Sequence, residues 1–262
     1  MTSLVFAMGP VHLDEEGAEL RTRLGARLAA ALGESVEVVA THSYGELAHL
    51  MSRGAAHLGW MPPAVFVRAE TASGLRLLTA IERSSGDGYR GVLFVPTESP
   101  IRTIEDLSGK RMAWVDRDSS AGYLFVRHAL RAAGFEPSEL FGDERFEGSH
   151  GSVVRSVLRG DADAGATHAQ TRRGTEEIVL AGWHFFAGAD GMRPLLISPP
   201  IPPDVICASK ALDADRLDAA REALLHLHED ADDPDLLDEV FGGAKLVAAS
   251  TLDYDPVREA VR

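Results

Sequence analysis

The stretch Val115-Asp116-Arg117-Asp118-Ser119-Ser120-Ala121-Gly122-Tyr123 carries the most chemistry in this chain. An apolar strand end, a polar turn and two hydroxyls stand directly ahead of a helical segment. The first N–H groups of a helix have no intrahelical acceptor, and the macrodipole adds about half a positive charge there. Two serine hydroxyls beside those donors make a seat for a tetrahedral oxyanion. A plainer reading competes on equal terms: Ser119 caps the helix and the rest is packing. A second group, Gly148-Ser149-His150-Gly151-Ser152, also precedes a helix, and His150 there could donate to an anion or bond only to solvent. Tyr44, Trp60 and Tyr89 could line a cleft between lobes. Core packing explains each of them too, Trp60 most easily.

No catalyst assembles from the remaining reactive side chains. Cys207 lies in the apolar run Val205-Ile206-Cys207-Ala208, which reads as a strand burying an inert thiol. Ser119 and His150 could be imagined as nucleophile and base, but no acid is placed to orient the histidine. His12, His42, His57, His128, His168 and His184 are scattered without metal-ligand spacing. His42 and His49 stand about two helical turns apart, and His226 and His228 face different sides of a helix. The expectation is a binding protein, not an enzyme, with no metal and no cofactor.

Elements must hold these residues in place. The first third alternates strands (Leu4–Met8, Val36–Ala40, His57–Met61, Leu75–Ile81) with helices near Glu16–Leu32, after Ser43, and over Ala64–Glu70 behind Pro62-Pro63. Repeated βα units imply a parallel or mixed sheet flanked by helices. The middle has strands at Tyr89–Pro96, Arg111–Val115, Ala162–Ala166 and Met192–Ser198, with helices from Ser119 to Gly134 and over Ser152–Arg159. Val205–Ser209 reads as a strand, and an acidic helical region runs from Asp213 to the end. A polar turn at Ser84–Gly88 and the stiff run Pro199-Pro200-Ile201-Pro202-Pro203 act as two crossovers. They divide the chain into a discontinuous outer lobe, 1–88 plus 200–262, and an inserted lobe, 89–199, which can hinge around a ligand cleft.

Composition narrows the partners. The chain has 262 residues, a net charge of -14 from 26 basic and 40 acidic residues, and one cysteine. Such an acidic surface disfavours nucleic acid and anionic lipid. No apolar run approaches the roughly 18 residues of a membrane span, and a lone cysteine excludes an internal disulfide. The first basic residue is Arg21, so the N-terminus as written does not read as an export signal.

Several motifs in fixed order go further: Ser43-Tyr44-Gly45-Glu46-Leu47, Gly59-Trp60-Met61-Pro62-Pro63, Ser99-Pro100-Ile101 and Asp106-Leu107-Ser108-Gly109-Lys110-Arg111. They continue with Val115-Asp116 through Ser119, Gly122-Tyr123, Gly148-Ser149-His150 and Asp253-Tyr254-Asp255-Pro256-Val257-Arg258. In this order they resemble the phosphate/phosphite/phosphonate-binding components of ABC importers, periplasmic binding proteins of the two-lobed type 2 fold. The resemblance implies an α/β protein with a mixed sheet in each lobe, working as a monomer that captures a small phosphorus oxyanion for an ABC permease. It assigns the phosphoryl oxygens to Ser119, Ser120, Ala121 and Gly122, with Tyr44, Tyr89 and His150 completing the pocket and Trp60 and Tyr123 shaping it.

Three positions depart from the family pattern. Ala121 stands where a further serine is usual, which removes one hydroxyl donor. Phe66 replaces a frequent tyrosine. Around Thr167–Gln170 and Pro199–Asp204 no carboxylate except Asp204 is offered to an amino-bearing phosphonate, so a small oxyanion is favoured. Periplasmic placement follows if a signal peptide has been removed. If Met1 is the native start, a cytosolic anion or metabolite sensor or carrier is the alternative, and the same fold also serves sulfonates and thiamine precursors.

Overall fold

A computed structural model describes residues 3–82, 88–172, 174–186, 191–229 and 232–261. The first part of the chain runs β1 (Leu4–Met8), α1 (Glu15–Leu32), β2 (Val36–Ala40), α2 (Tyr44–Arg53), β3 (Leu58–Met61), α3 (Pro63–Ser73) and β4 (Arg76–Glu82). The middle holds β5 (Gly88–Pro96), β6 (Arg111–Trp114), α4 (Phe125–Ala132), α5 (Pro137–Leu140), β7 (Asp143–Phe146), α6 (His150–Leu158), β8 (Ala164–Thr171), β9 (Ile178–Ala181) and β10 (Met192–Pro200). The last part adds β11 (Val205–Ala208), α7 (Ala214–Leu225), α8 (Leu236–Phe241), β12 (Lys245–Val247) and α9 (Asp255–Ala260).

Local signals explain the helix ends. Asp14 caps α1 by accepting the Gly17 N–H at 2.8 Å, and Gly33 ends the helix in the left-handed region. Ser43 caps α2 by accepting the Glu46 N–H, while the Glu46 carboxylate accepts the His42 N–H. This capping pair satisfies orphan donors and fixes where Tyr44 enters the helix.

Two compact units result: Met1–Gly86 with Pro203–Asp255, and Asp87–Pro202 with Pro256–Arg262. In the first unit the strand order is β12-β4-β11-β3-β1-β2. β1 is parallel to β2 and β3, whereas β11 runs antiparallel to β3 and β4. Its core joins Phe6, Met8, Leu24, Leu28, Leu58, Ile206 and Leu224. In the second unit the order is β10-β5-β8-β6-β7, with β9 added to β8. α6 and Trp183 cover one face of this sheet around Val92 and Val153. α4 covers the other around Leu93, Trp114, Val126 and Leu130. Both sheets are mixed and helix-flanked, as the βα alternation implies.

The differences from expectation have physical causes. Pro199 and Pro200 extend β10 instead of ending it, because β10 is an edge strand whose outer side needs no N–H donors. The acidic region after Asp213 is not continuous helix; Lys245–Val247 pairs antiparallel with β4. β7, α5 and β9 lie where no strand or helix is expected, being only four residues each and weakly patterned. Pro256–Arg262 joins the second unit, with Val257 and Ala260 buried. Of the expected turn at Ser84–Gly88, positions 84–87 lie outside the described residues, and Gly88 opens β5.

Candidate functional site

The second unit leaves an opening along β8. β6 pairs with β8 only at Met112↔Ala164 and Ala113↔Gly165, and β9 takes up the same side only from Ala169. Neither strand covers Ala166, Thr167 and His168 on that side. Beyond Trp114 the chain leaves the sheet, as ligand-binding loops of α/β sheets do at the carboxyl ends of strands. The parallel neighbour leaves with it: the Glu147 N–H donates to the Trp114 carbonyl and the Gly148 N–H to the Val115 carbonyl, both at 2.9 Å. Two helix starts are thereby led out from adjacent strand ends.

The first is the serine segment. Asp116 Oδ1 accepts the Asp118 N–H at 2.7 Å, and the Asp116 carbonyl accepts from Ser119, which closes the polar turn. The helix then begins with a π turn, Ser120–Leu124, in which the Phe125 N–H donates to the Ser120 carbonyl before α4 continues. Single π turns recur at functional sites. Ser119 Oγ accepts the Gly122 N–H at 3.0 Å. The capping role and the hydroxyl role of Ser119 are therefore compatible, and the Gly122 N–H, expected among the ligand donors, is engaged inside the turn. Gly122 is needed for packing: a Cβ there would lie 2.2 Å from Val115 Cγ2. The N–H groups of Ser120 and Ala121 start the helix and have no intrahelical acceptor. Ser120 Oγ is buried and has no hydrogen-bond partner among the described residues. A buried hydroxyl without a partner costs about 1–3 kcal/mol, which a bound acceptor would recover.

The second helix start is α6. Ser149 caps it by accepting the Ser152 N–H, so that His150 is its first residue. His150 Nδ1 lies 3.0 Å from Thr167 Oγ1, and its ring meets His168 edge-on at 4.8 Å and 89°. His168 in turn stacks on Tyr89, with centroids 5.9 Å apart and planes 18° apart. Burial, and secondarily the charge of His168, hold His150 neutral by lowering its pKa from 6.5 to about 3. Gly91 ties the two helix starts together. It pairs with His168 across β5 and β8, and a Cβ on it would fall 2.6 Å from the Ala121 carbonyl oxygen.

The serine start, His150 and Tyr89 thus converge on one unit, together with Thr167 and His168. His168 stood among the scattered histidines because only the β5–β8 register reveals its neighbours. Other expected residues lie elsewhere. Tyr44 opens α2 in the first unit, its ring across Gly9 at the end of β1, where a Cβ would come within 2.5 Å of it. Trp60, partly buried, packs edge-on against Phe241 at 5.0 Å beside the core of the first unit, and its indole N–H has no hydrogen-bond partner among the described residues. Tyr123 packs against Trp114 and Phe146 with the Arg127 guanidinium over its ring, which accounts for it structurally. Phe66 is fully buried against Tyr254, away from any solvent-borne ligand. Cys207 is fully buried, and burial pushes its thiol pKa up, leaving it protonated.

The family profile described as "ABC transporter, phosphonate, periplasmic substrate-binding protein" matches residues 6–254. Among curated proteins, the tetrathionate sensor histidine kinase TtrS of Salmonella typhimurium is 34% identical over 103 residues, 37% of this chain and 17% of that protein. The phosphate-import protein PhnD of Mycolicibacterium smegmatis is 28% identical over 144 residues, 51% of this chain and 44% of that protein. The matched stretches therefore span less than half of either relative. Among solved structures, XAC2383 from Xanthomonas citri bound to ATP superposes with a TM-score of 0.81 at 17% identity, covering 100% of this chain and 96% of that one. PhnD1 from Prochlorococcus marinus in complex with methylphosphonate gives 0.72 at 17% identity, covering 98% and 96%. At these identities the structural likeness speaks for the fold.

Proposed function

The chain belongs to the phosphonate family of ABC-transporter periplasmic substrate-binding proteins, and on that premise we propose that it captures a small phosphorus oxyanion for import. The ligand oxygens accept from the Ser119 and Ser120 hydroxyls, the Ser120 and Ala121 N–H groups and His150. Tyr89 flanks them. Binding leaves the ligand chemically unchanged, and the protein delivers it to an ABC permease from the extracytoplasmic side. The observation that carries this reading is the buried, unpartnered Ser120 Oγ at a helix start. Oriented dipoles of this kind bind a desolvated anion without reorganisation. Phosphate, phosphite or methylphosphonate is favoured over an aminophosphonate, because the β8 opening carries imidazole and hydroxyl groups and no carboxylate among Thr167–Gln170.

A thermal-shift screen with phosphate, phosphite, methylphosphonate, 2-aminoethylphosphonate, sulfate and tetrathionate tests this. A ligand at a hundred times its Kd stabilises by about 2.7 kcal/mol. One or two phosphorus oxyanions should raise Tm. Ser120→Ala should weaken their binding at least tenfold, since a hydrogen bond to a charged group contributes about 1.5–3 kcal/mol. The same variant should keep or slightly gain stability without ligand, as it removes an unsatisfied hydroxyl. Silence from every phosphorus oxyanion, or undiminished binding by Ser120→Ala, overturns the proposal. The match to a sensor kinase favours a second reading, a ligand-binding module that reports to a signalling partner. A shift by tetrathionate alone would select it.

A further inference from the structure

Thr167 is fully buried on β8, and its hydroxyl has one hydrogen-bond neighbour among the described residues, His150 Nδ1 at 3.0 Å. The space for that hydroxyl is made by a glycine, since a Cβ on Gly182 would stand 2.2 Å from Thr167 Oγ1. Two proton arrangements are open to this pair. If Nδ1–H donates, the Thr167 hydrogen has no acceptor and remains buried and unsatisfied, the more expensive outcome. If Thr167 Oγ1–H donates, both groups are satisfied and the imidazole proton must reside on Nε2. His168, edge-on at 4.8 Å, and the surrounding burial oppose a second proton on the ring.

We propose that Thr167 is a positioning residue that fixes His150 in the neutral Nε2–H tautomer and so makes it a hydrogen-bond donor to the bound oxyanion. The consequence for ligand binding rests on the assignment of His150 to the anion pocket; the tautomer itself does not. In the opposite tautomer, Nε2 would present a lone pair to an oxyanion and repel it. Thr167 therefore acts through His150 without touching the ligand. Strand β8 places it next to His168, so one strand both orients the imidazole and limits its charge.

The test uses the full chain with 15N-labelled histidine. Long-range 1H–15N spectra of the ligand-free protein should show His150 with a protonated Nε2 and an unprotonated Nδ1. Thr167→Val keeps the side-chain shape and removes the donor; it should shift the His150 Nδ1 resonance and weaken binding of inorganic phosphate, phosphite or methylphosphonate about tenfold. Thr167→Ser should restore both to near wild type, which a purely packing role would not require. An Nδ1–H tautomer in the wild type, or unchanged affinity in Thr167→Val, overturns the inference. If no oxyanion binds the wild type but the Nε2–H tautomer is seen and Thr167→Val shifts it, the tautomer assignment stands and the ligand reading fails.

Discussion

At the scale of single residues, His150 links the proposed pocket to the stability of the fold. Its pKa falls from 6.5 to about 3, first through burial and then through His168. Below 6.5 the unfolded chain takes up a proton at this position that the folded chain refuses, so acid favours unfolding. The associated loss should begin as pH drops through 6.5 and level off near 3. Chemical denaturation of wild type and His150→Asn at several pH values reads it: the variant should lose less stability on acidification, and parallel pH profiles would contradict the cause given. Residue types drew attention to Ser119, Ser120 and His150, as hydroxyls and an imidazole ahead of helices, whereas their assignment to an anion pocket, and that of Tyr89, rested on the family resemblance. Thr167 and His168 were not legible in this way. Their meaning depends on which side of β8 is left unpaired, a property of strand register and not of the residues themselves. Trp60 shows a different limit: a large aromatic at a strand end gives no sign in the sequence of its edge-on partner, Phe241.

At the scale of elements, the proposed pocket depends on where two helices are allowed to start. Gly91 keeps the serine helix in contact with β5, and any Cβ there would meet the backbone oxygen of Ala121 at 2.6 Å. A backbone atom cannot rotate away as a side-chain tip can. Gly91→Ala should therefore displace the π turn, cost about 1–3 kcal/mol as overpacking does, and weaken oxyanion binding although residue 91 donates nothing to the ligand. Calorimetric titration together with denaturant unfolding would check both effects; unchanged affinity would show that the serine helix tolerates the shift. The βα alternation of the first third was readable from periodicity and caps, since Asp14, Ser43 and the glycines after each helix act locally. The π turn was not, because its i→i+5 bond and the Ser119–Gly122 contact emerge only when Val115 packs against Gly122.

At the scale of the whole molecule, the net charge of -14 should oppose the approach of an anion without preventing binding. Repulsion extends over a Debye length, about 8 Å at physiological salt, whereas fixed dipoles act at contact. Stopped-flow fluorescence should find the oxyanion association rate rising as salt is added from low ionic strength, by a few fold, with a dissociation rate that changes less. A falling association rate would point instead to a local positive field at the pocket mouth. The proline-rich run read as a crossover contains the boundary between the two units at Pro202 and Pro203; the return of Pro256–Arg262 to the second unit had no counterpart in the sequence reading, since a short amphipathic end gives no sign of its partner. Chain order has a further consequence during synthesis. β11 occupies the slot between β3 and β4, yet it is made after all of Asp87–Pro202. A growing chain therefore has β3 and β4 waiting with open edges while β5 to β10 can already pair, so the segments of the proposed oxyanion seat are all made before the first unit can close its own sheet.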